Sequence, residues 1–150
     1  MIEAKGVSLK YRDGTLALRD IGLKVSPGEL IFITGPSGSG KTSLLKLLIG
    51  MEYPTSGSLN VLGQVMESGE EKGIRKIRRA IGPVFQELKL VHGRSSLENV
   101  MMGIRFLDFS KKEIRENSRI ALEKVGLAHK AHTPVENLSW GEAQRVSIAR

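Results

Sequence analysis

The chain has no cysteine among its 150 residues, which excludes disulfides and thiolate metal sites and fits a reducing compartment. Aromatic residues are few, at 5%. No stretch approaches the roughly 18 consecutive apolar residues of a membrane span. The opening MIEAKGVSLK carries Glu3 and no long apolar run, so it reads as a poor secretory signal. There is no internal repeat, no low-complexity linker and no N-K-x-D motif for guanine. What remains is ordinary for a soluble globular protein of one domain's length, with 40% hydrophobic and 26% charged residues.

The formal charge is +7. Much of the excess lies in KGIRKIRRA, where Lys72, Arg75, Lys76, Arg78 and Arg79 cluster. A solvated helix face accounts for such a run, and contact with anionic lipid is the alternative. No aromatic residue is interleaved to stack on bases, so nucleic acid is not an expected partner.

The first thirty-odd residues alternate as strands do, in IEAKGVSLKY and LALRDIGLKV, and the apolar run ELIFIT after the turn SPG reads as a third strand. KTSLLKLLI, from Lys41 to Ile49, reads as a buried helix ended by Gly50, with Pro54 beyond. SGSLNVLG and AIGPVF read as further strands. After Gln86 the pattern turns helical. Ser95 with Glu98, Ser110 with Glu113, and Ser139 with Glu142 each have capping-box spacing. Ile114, Ala121, Leu122 and Val125 share a helix face that Gly126 closes.

GPSGSGKT, comprising Gly35, Pro36, Ser37, Gly38, Ser39, Gly40, Lys41 and Thr42, fits G-x-x-x-x-G-K-S/T between an apolar run and a helix. Its glycines let the backbone curl around an anion, so that inward amides and the positive helix end meet phosphate together. Lys41 would reach the β- and γ-phosphates, and Thr42 would offer its hydroxyl to magnesium. Tyr11, after the first strand, could stack on an adenine or simply pack against the sheet. Gln86 could contact magnesium or an attacking water, or be a surface residue.

With LSWGEAQR, from Leu138 to Arg145, these landmarks stand in one order, and the chain resembles the ATP-binding subunits of ABC systems. The resemblance implies an α/β P-loop NTPase fold: an N-terminal antiparallel β subdomain, a partial RecA-like core and a helical subdomain. It divides the chain into residues 1–87, 88–137 and 138–150. ATP and magnesium are the implied cofactors, with Tyr11, Gly35 to Thr42 and Gln86 on the nucleotide, and Thr42 and Gln86 on the metal. Ser139, Trp140, Gly141 and Glu142 correspond to the signature, which in a homodimer meets ATP held by the other subunit. Trp140 departs from the family's usual glycine.

RRAIGPVFQELKLVHGRSSLENV is similar to the FtsE group of cell-division ATPases, which pair with the membrane protein FtsX. Arg78, Arg79, Phe85, Gln86, Lys89, Leu90, Arg94, Ser95, Glu98 and Asn99 agree with that group, while Glu87, Val91 and Leu97 depart from it. The implied setting is the cytoplasmic face of the plasma membrane, reached through an FtsX-like partner. Lipoprotein-release, macrolide-export and amino-acid import ATPases share much of the pattern. The resemblance places the Walker B carboxylates and the switch histidine after Arg150, so no catalytic residue is assigned within the chain and hydrolysis by it is not expected. A non-hydrolysing nucleotide-binding module is the alternative. His92, His129 and His132 precede the signature and read as surface residues.

Overall fold

A computed structural model describes residues 1–150, which divide into two compact units, Met1–Ile81 and Gly82–Arg150.

The first unit is built on an antiparallel sheet. Strands β1 (Ile2–Lys10), β2 (Leu16–Val25), β3 (Ser56–Val61) and β4 (Gln64–Val65) lie in the order β2-β1-β3-β4. Along β1 the buried residues are Ala4, Val7 and Leu9, a spacing that breaks strict alternation. A shift in register between Ala4 and Val7 absorbs the extra residue and returns Val7 to the core face. Gly6 sits in that irregularity at φ 60. Across from it, Gly57 has φ 81, and a Cβ there would fall 2.2 Å from the Gly6 carbonyl oxygen, so only glycine fits.

Helices α1 (Lys41–Leu48) and α2 (Glu71–Ala80) belong to the same unit. Leu44 and Leu47 of α1 and Ile74 and Ile77 of α2 join Val7, Leu9, Leu59 and Val61 in one core. Helix α1 is buried on one face only, since Leu45 remains 51% exposed. It ends as expected. Gly50 takes φ 68, its amide donates to Leu47 O at 3.1 Å, and the Met51 amide donates to Lys46 O at 2.9 Å. Arg78 completes that terminus by donating Nη2 to Gly50 O at 2.7 Å. One member of the basic run therefore caps a neighbouring helix, and Arg75 pairs with Glu71 one turn away at 3.0 Å.

Two expected strands do not form. ELIFIT and AIGPVF lie outside every hydrogen-bonded strand, and Leu30 and Phe32 are 80% and 79% exposed. The residue pattern is that of parallel-sheet strands buried on both faces, and such strands exist only where neighbours satisfy their backbone groups. The sheet in this structure uses other segments, so these two apolar runs are left without a ladder.

The second unit is helical: α3 (Ser96–Ile104), α4 (Lys111–Lys124) and α5 (Trp140–Ala149), with short 3-10 turns at Ala128–Lys130 and Val135–Asn137. Leu97, Val100, Leu122, Leu127 and Val146 form its core. All three capping boxes are present, each with a serine Oγ accepting from a backbone amide and a glutamate accepting in return. On α4 the buried residues are Ile114, Ser118 and Leu122, while Ala121 and Val125 are only partly covered. Ser118 is tolerated there because its hydroxyl donates to Ile114 O at 2.7 Å.

Candidate nucleotide-binding site

The loop from Gly35 to Gly40 leads straight into α1. Lys41 opens the helix, and its Nζ donates to Gly35 O at 2.8 Å and Pro36 O at 2.7 Å, with Ser39 Oγ at 3.5 Å. The ammonium is thus held at the centre of the loop that precedes it. Gly40, the N-cap, has φ 90 and supplies no side-chain cap. A Cβ on it would lie 2.5 Å from Ala17 O of β2 and 2.8 Å from Leu18 Cδ2, so the loop can seat against the sheet only with glycine here. Gly35 is similarly tight, with φ 146 and Ser39 Oγ 2.8 Å from the position of a Cβ.

The first turn of α1 contains no acidic residue and its last turn holds Lys46. Its leading amides have no side-chain acceptor. Uncapped donors at a helix N-terminus, with an ammonium beside them and a loop of glycines in front, are the donor set that an anion would need. Thr42 is exposed in that turn. Tyr11 follows β1 and packs partly buried against the core, and its hydroxyl lies 3.0 Å from Ser43 Oγ of α1. The structure therefore brings Tyr11 to the first turn of the same helix that Lys41 and Thr42 begin.

The remaining candidates belong to the second unit. Gln86 is exposed in a bend. The segment after it is firmly held: buried Asn99 accepts from Val91 N at 2.8 Å and donates to Val91 O and Ser95 O at 3.2 and 3.1 Å. From the other side, Arg150 donates to Lys89 O at 2.6 Å and Leu88 O at 3.2 Å, and Ser147 donates to Leu88 O at 3.2 Å.

Ser139 caps α5, accepting from Glu142 N at 3.3 Å, and Glu142 Oε2 accepts from Ser139 N at 2.8 Å. That backbone donation, with the Ser139 hydroxyl and the Lys130 ammonium at 3.6 Å, holds the Glu142 carboxyl below the usual carboxylate range. Trp140 projects from the helix start and is 69% exposed. Gly141 is unobstructed: only Arg145 Nη1, at 3.9 Å, would neighbour a Cβ there. Sequence reasoning missed Ser43 and Lys130. Ser43 adjoins the loop motif, whereas nothing in the spacing of Lys130 points across the turn to Glu142.

The ABC transporter family model matches residues 18–150. The chain belongs to the ABC transporter family. Among ABC relatives, the cell division ATP-binding protein FtsE of Streptococcus pneumoniae is 36% identical over 150 residues, covering all of this chain and 65% of that protein. The phosphonates import ATP-binding protein PhnC of Lactobacillus acidophilus is 37% identical over 159 aligned positions, covering all of this chain and 62% of that protein. The chain thus spans less than two thirds of the length of these relatives. A solved dimeric ATP-binding cassette, in a post-hydrolysis state with ADP and Pi, superposes with TM-score 0.88 at 30% identity over 99% of this chain and 68% of its own. The P-loop NTPase fold class, with its antiparallel N-terminal sheet and helical portion, is that of the ABC cassettes.

Proposed function

We propose that the chain binds Mg-ATP as part of an ABC ATP-binding subunit, with Gly35 to Thr42 on the phosphates and the Tyr11 ring on the adenine. The observation that carries this reading is the uncapped first turn of α1 with Lys41 Nζ gathered into the loop before it. Phosphate oxygens would take over the donors that now face loop carbonyls. No group of three His, Asp or Glu side chains is placed to hold a metal. Magnesium would arrive with the phosphates, Thr42 supplying one oxygen. Ser139, Trp140, Gly141 and Glu142 would meet ATP on a second subunit, a reading supported by the dimeric relative. Glu142, already engaged with Ser139 and Lys130, would leave the contact to backbone amides and Ser139.

The partner in this reading is an integral membrane subunit, a reading supported by the similarity to FtsE and to import ATP-binding proteins; no helix of the chain is itself long and apolar enough to cross a membrane. A groove of about 540 Å³ beside α3 offers a place for it, lined by Val91, Arg94, Glu98, Met101, Met102 and Arg105. Methionines supply an adaptable apolar floor, and Arg105 and Lys111 a cationic rim. Of the possible systems we favour an FtsX-like subunit in cell division, at the cytoplasmic face of the plasma membrane, on the strength of the segment from Arg78 to Asn99. Import is the second reading, favoured by the equal identity to PhnC. Co-expression with an FtsX-like subunit and with a phosphonate-import membrane subunit tests them. Recruitment by the first alone supports the division reading, and recruitment by the second alone overturns it.

Hydrolysis needs a carboxylate to hold magnesium and a group to position water. The residues assigned above to the nucleotide include no such carboxylate.

A further inference from the structure

A second cavity, of about 360 Å³, lies entirely within the helical unit, between α4 and the segment that follows it. Its floor is Leu97 and Leu122, both buried core residues, and His132 stands on its wall. Arg115, Arg119 and Glu123 line it from one row of α4, four residues apart. We propose that this cavity is a binding site for a small monocarboxylate with a compact apolar body.

Three observations carry the assignment. The first is that its basic side chains have no structural work. Arg75, Arg78, Arg94, Lys130 and Arg150 all hold a carboxylate or a carbonyl. Arg115, Arg119 and His132 make no hydrogen bond or ion pair within the chain, and no carboxylate, Glu123 included, lies within ion-pair distance of either arginine. The second is charge. Two guanidinium groups against one carboxylate leave a single excess positive charge, which matches a monoanion and disfavours a dianion such as a phosphate monoester. A guanidinium fork also fits the planar carboxylate in two parallel hydrogen bonds, and Glu123 remains to accept an N–H or O–H from the ligand. The third is size and floor. The volume falls at the small end of the range of about 300–1,000 Å³ typical of small-molecule sites, and Ala128 and Ala131, beside the buried leucines, give an apolar body a surface to rest on.

The test is titration of the full chain with isovalerate, its uncharged amide isovaleramide, and inorganic phosphate, followed by backbone amide spectra. The expected result is saturable shifts in residues 115–132 with millimolar isovalerate, weaker by about tenfold or more for isovaleramide and for phosphate. Arg115→Gln and Arg119→Gln, both at exposed positions, should each weaken isovalerate by a similar factor. Absence of shifts, or equal binding of isovaleramide, would overturn the proposal. So would phosphate binding as tightly as isovalerate, or an affinity indifferent to both substitutions.

Discussion

The Tyr11 hydroxyl and Ser43 Oγ lie 3.0 Å apart, joining the end of β1 to the first turn of the helix that follows the Gly35–Gly40 loop. The contact fixes one end of an aromatic ring whose other role, in our reading, is to stack on a nucleobase. The two roles separate by substitution. Tyr11→Phe keeps the ring and loses one hydrogen bond, so it should cost about 1 kcal/mol of stability and leave ATP affinity nearly intact. Tyr11→Ala removes the ring and should weaken ATP by about twofold to tenfold. Equilibrium ATP binding to the two variants checks this; equal affinities would show that the ring does not touch the base.

Gly40 is the most constrained position of the loop, combining φ 90 with a close approach to Ala17 O. Gly40→Ala must either strain the backbone or push the loop off β2. It should lower stability in urea unfolding by about 1–3 kcal/mol and loosen the proposed phosphate site as well. An alanine variant as stable as the parent would mean that the loop does not rest on the sheet in this way.

The capping boxes make the helical unit sensitive to acid. Hydrogen bonds from Ser95 and Ser139 backbone amides, and from the Ser110 hydroxyl, hold the carboxyls of Glu98, Glu142 and Glu113 below the ordinary glutamate range. A carboxyl whose folded value is depressed stabilises fully above its unfolded value, about 4.3, and that contribution is lost as pH falls through the folded value. Amide exchange in the first turns of α3, α4 and α5 should therefore quicken relative to the intrinsic rate as pH drops below about 4. Glu142→Gln should remove most of this dependence at α5 alone, and an unchanged acid response in that variant would argue against the cap as its cause.

Much of this could be read in the sequence because it is local. A serine three residues before a glutamate determines its own hydrogen bonds, and Gly50 closes α1 because only its neighbours are involved. The motif from Gly35 to Thr42 likewise contains the lysine and the carbonyls that receive it. Non-local relations were harder. ELIFIT has the composition of a buried strand, yet composition says nothing about whether a neighbour is present to pair with it. Arg78 looked like one charge among five, and its role as a cap on α1 depends on a fold that brings residue 78 to residue 50. Arg150 and Leu88 are farther apart still in sequence, and no pattern forecasts their contact.

The account depends most on Lys41. Removing its ammonium by Lys41→Ala deletes a charge-assisted contact to phosphate of about 1.5–3 kcal/mol, and should weaken Mg-ATP binding to the 150-residue chain by about tenfold to a hundredfold. Calorimetric titration of parent and variant with Mg-ATP measures this directly. A loss in that range, with unchanged unfolding behaviour, is the predicted result, and equal affinity of the two would contradict the assignment of the nucleotide site.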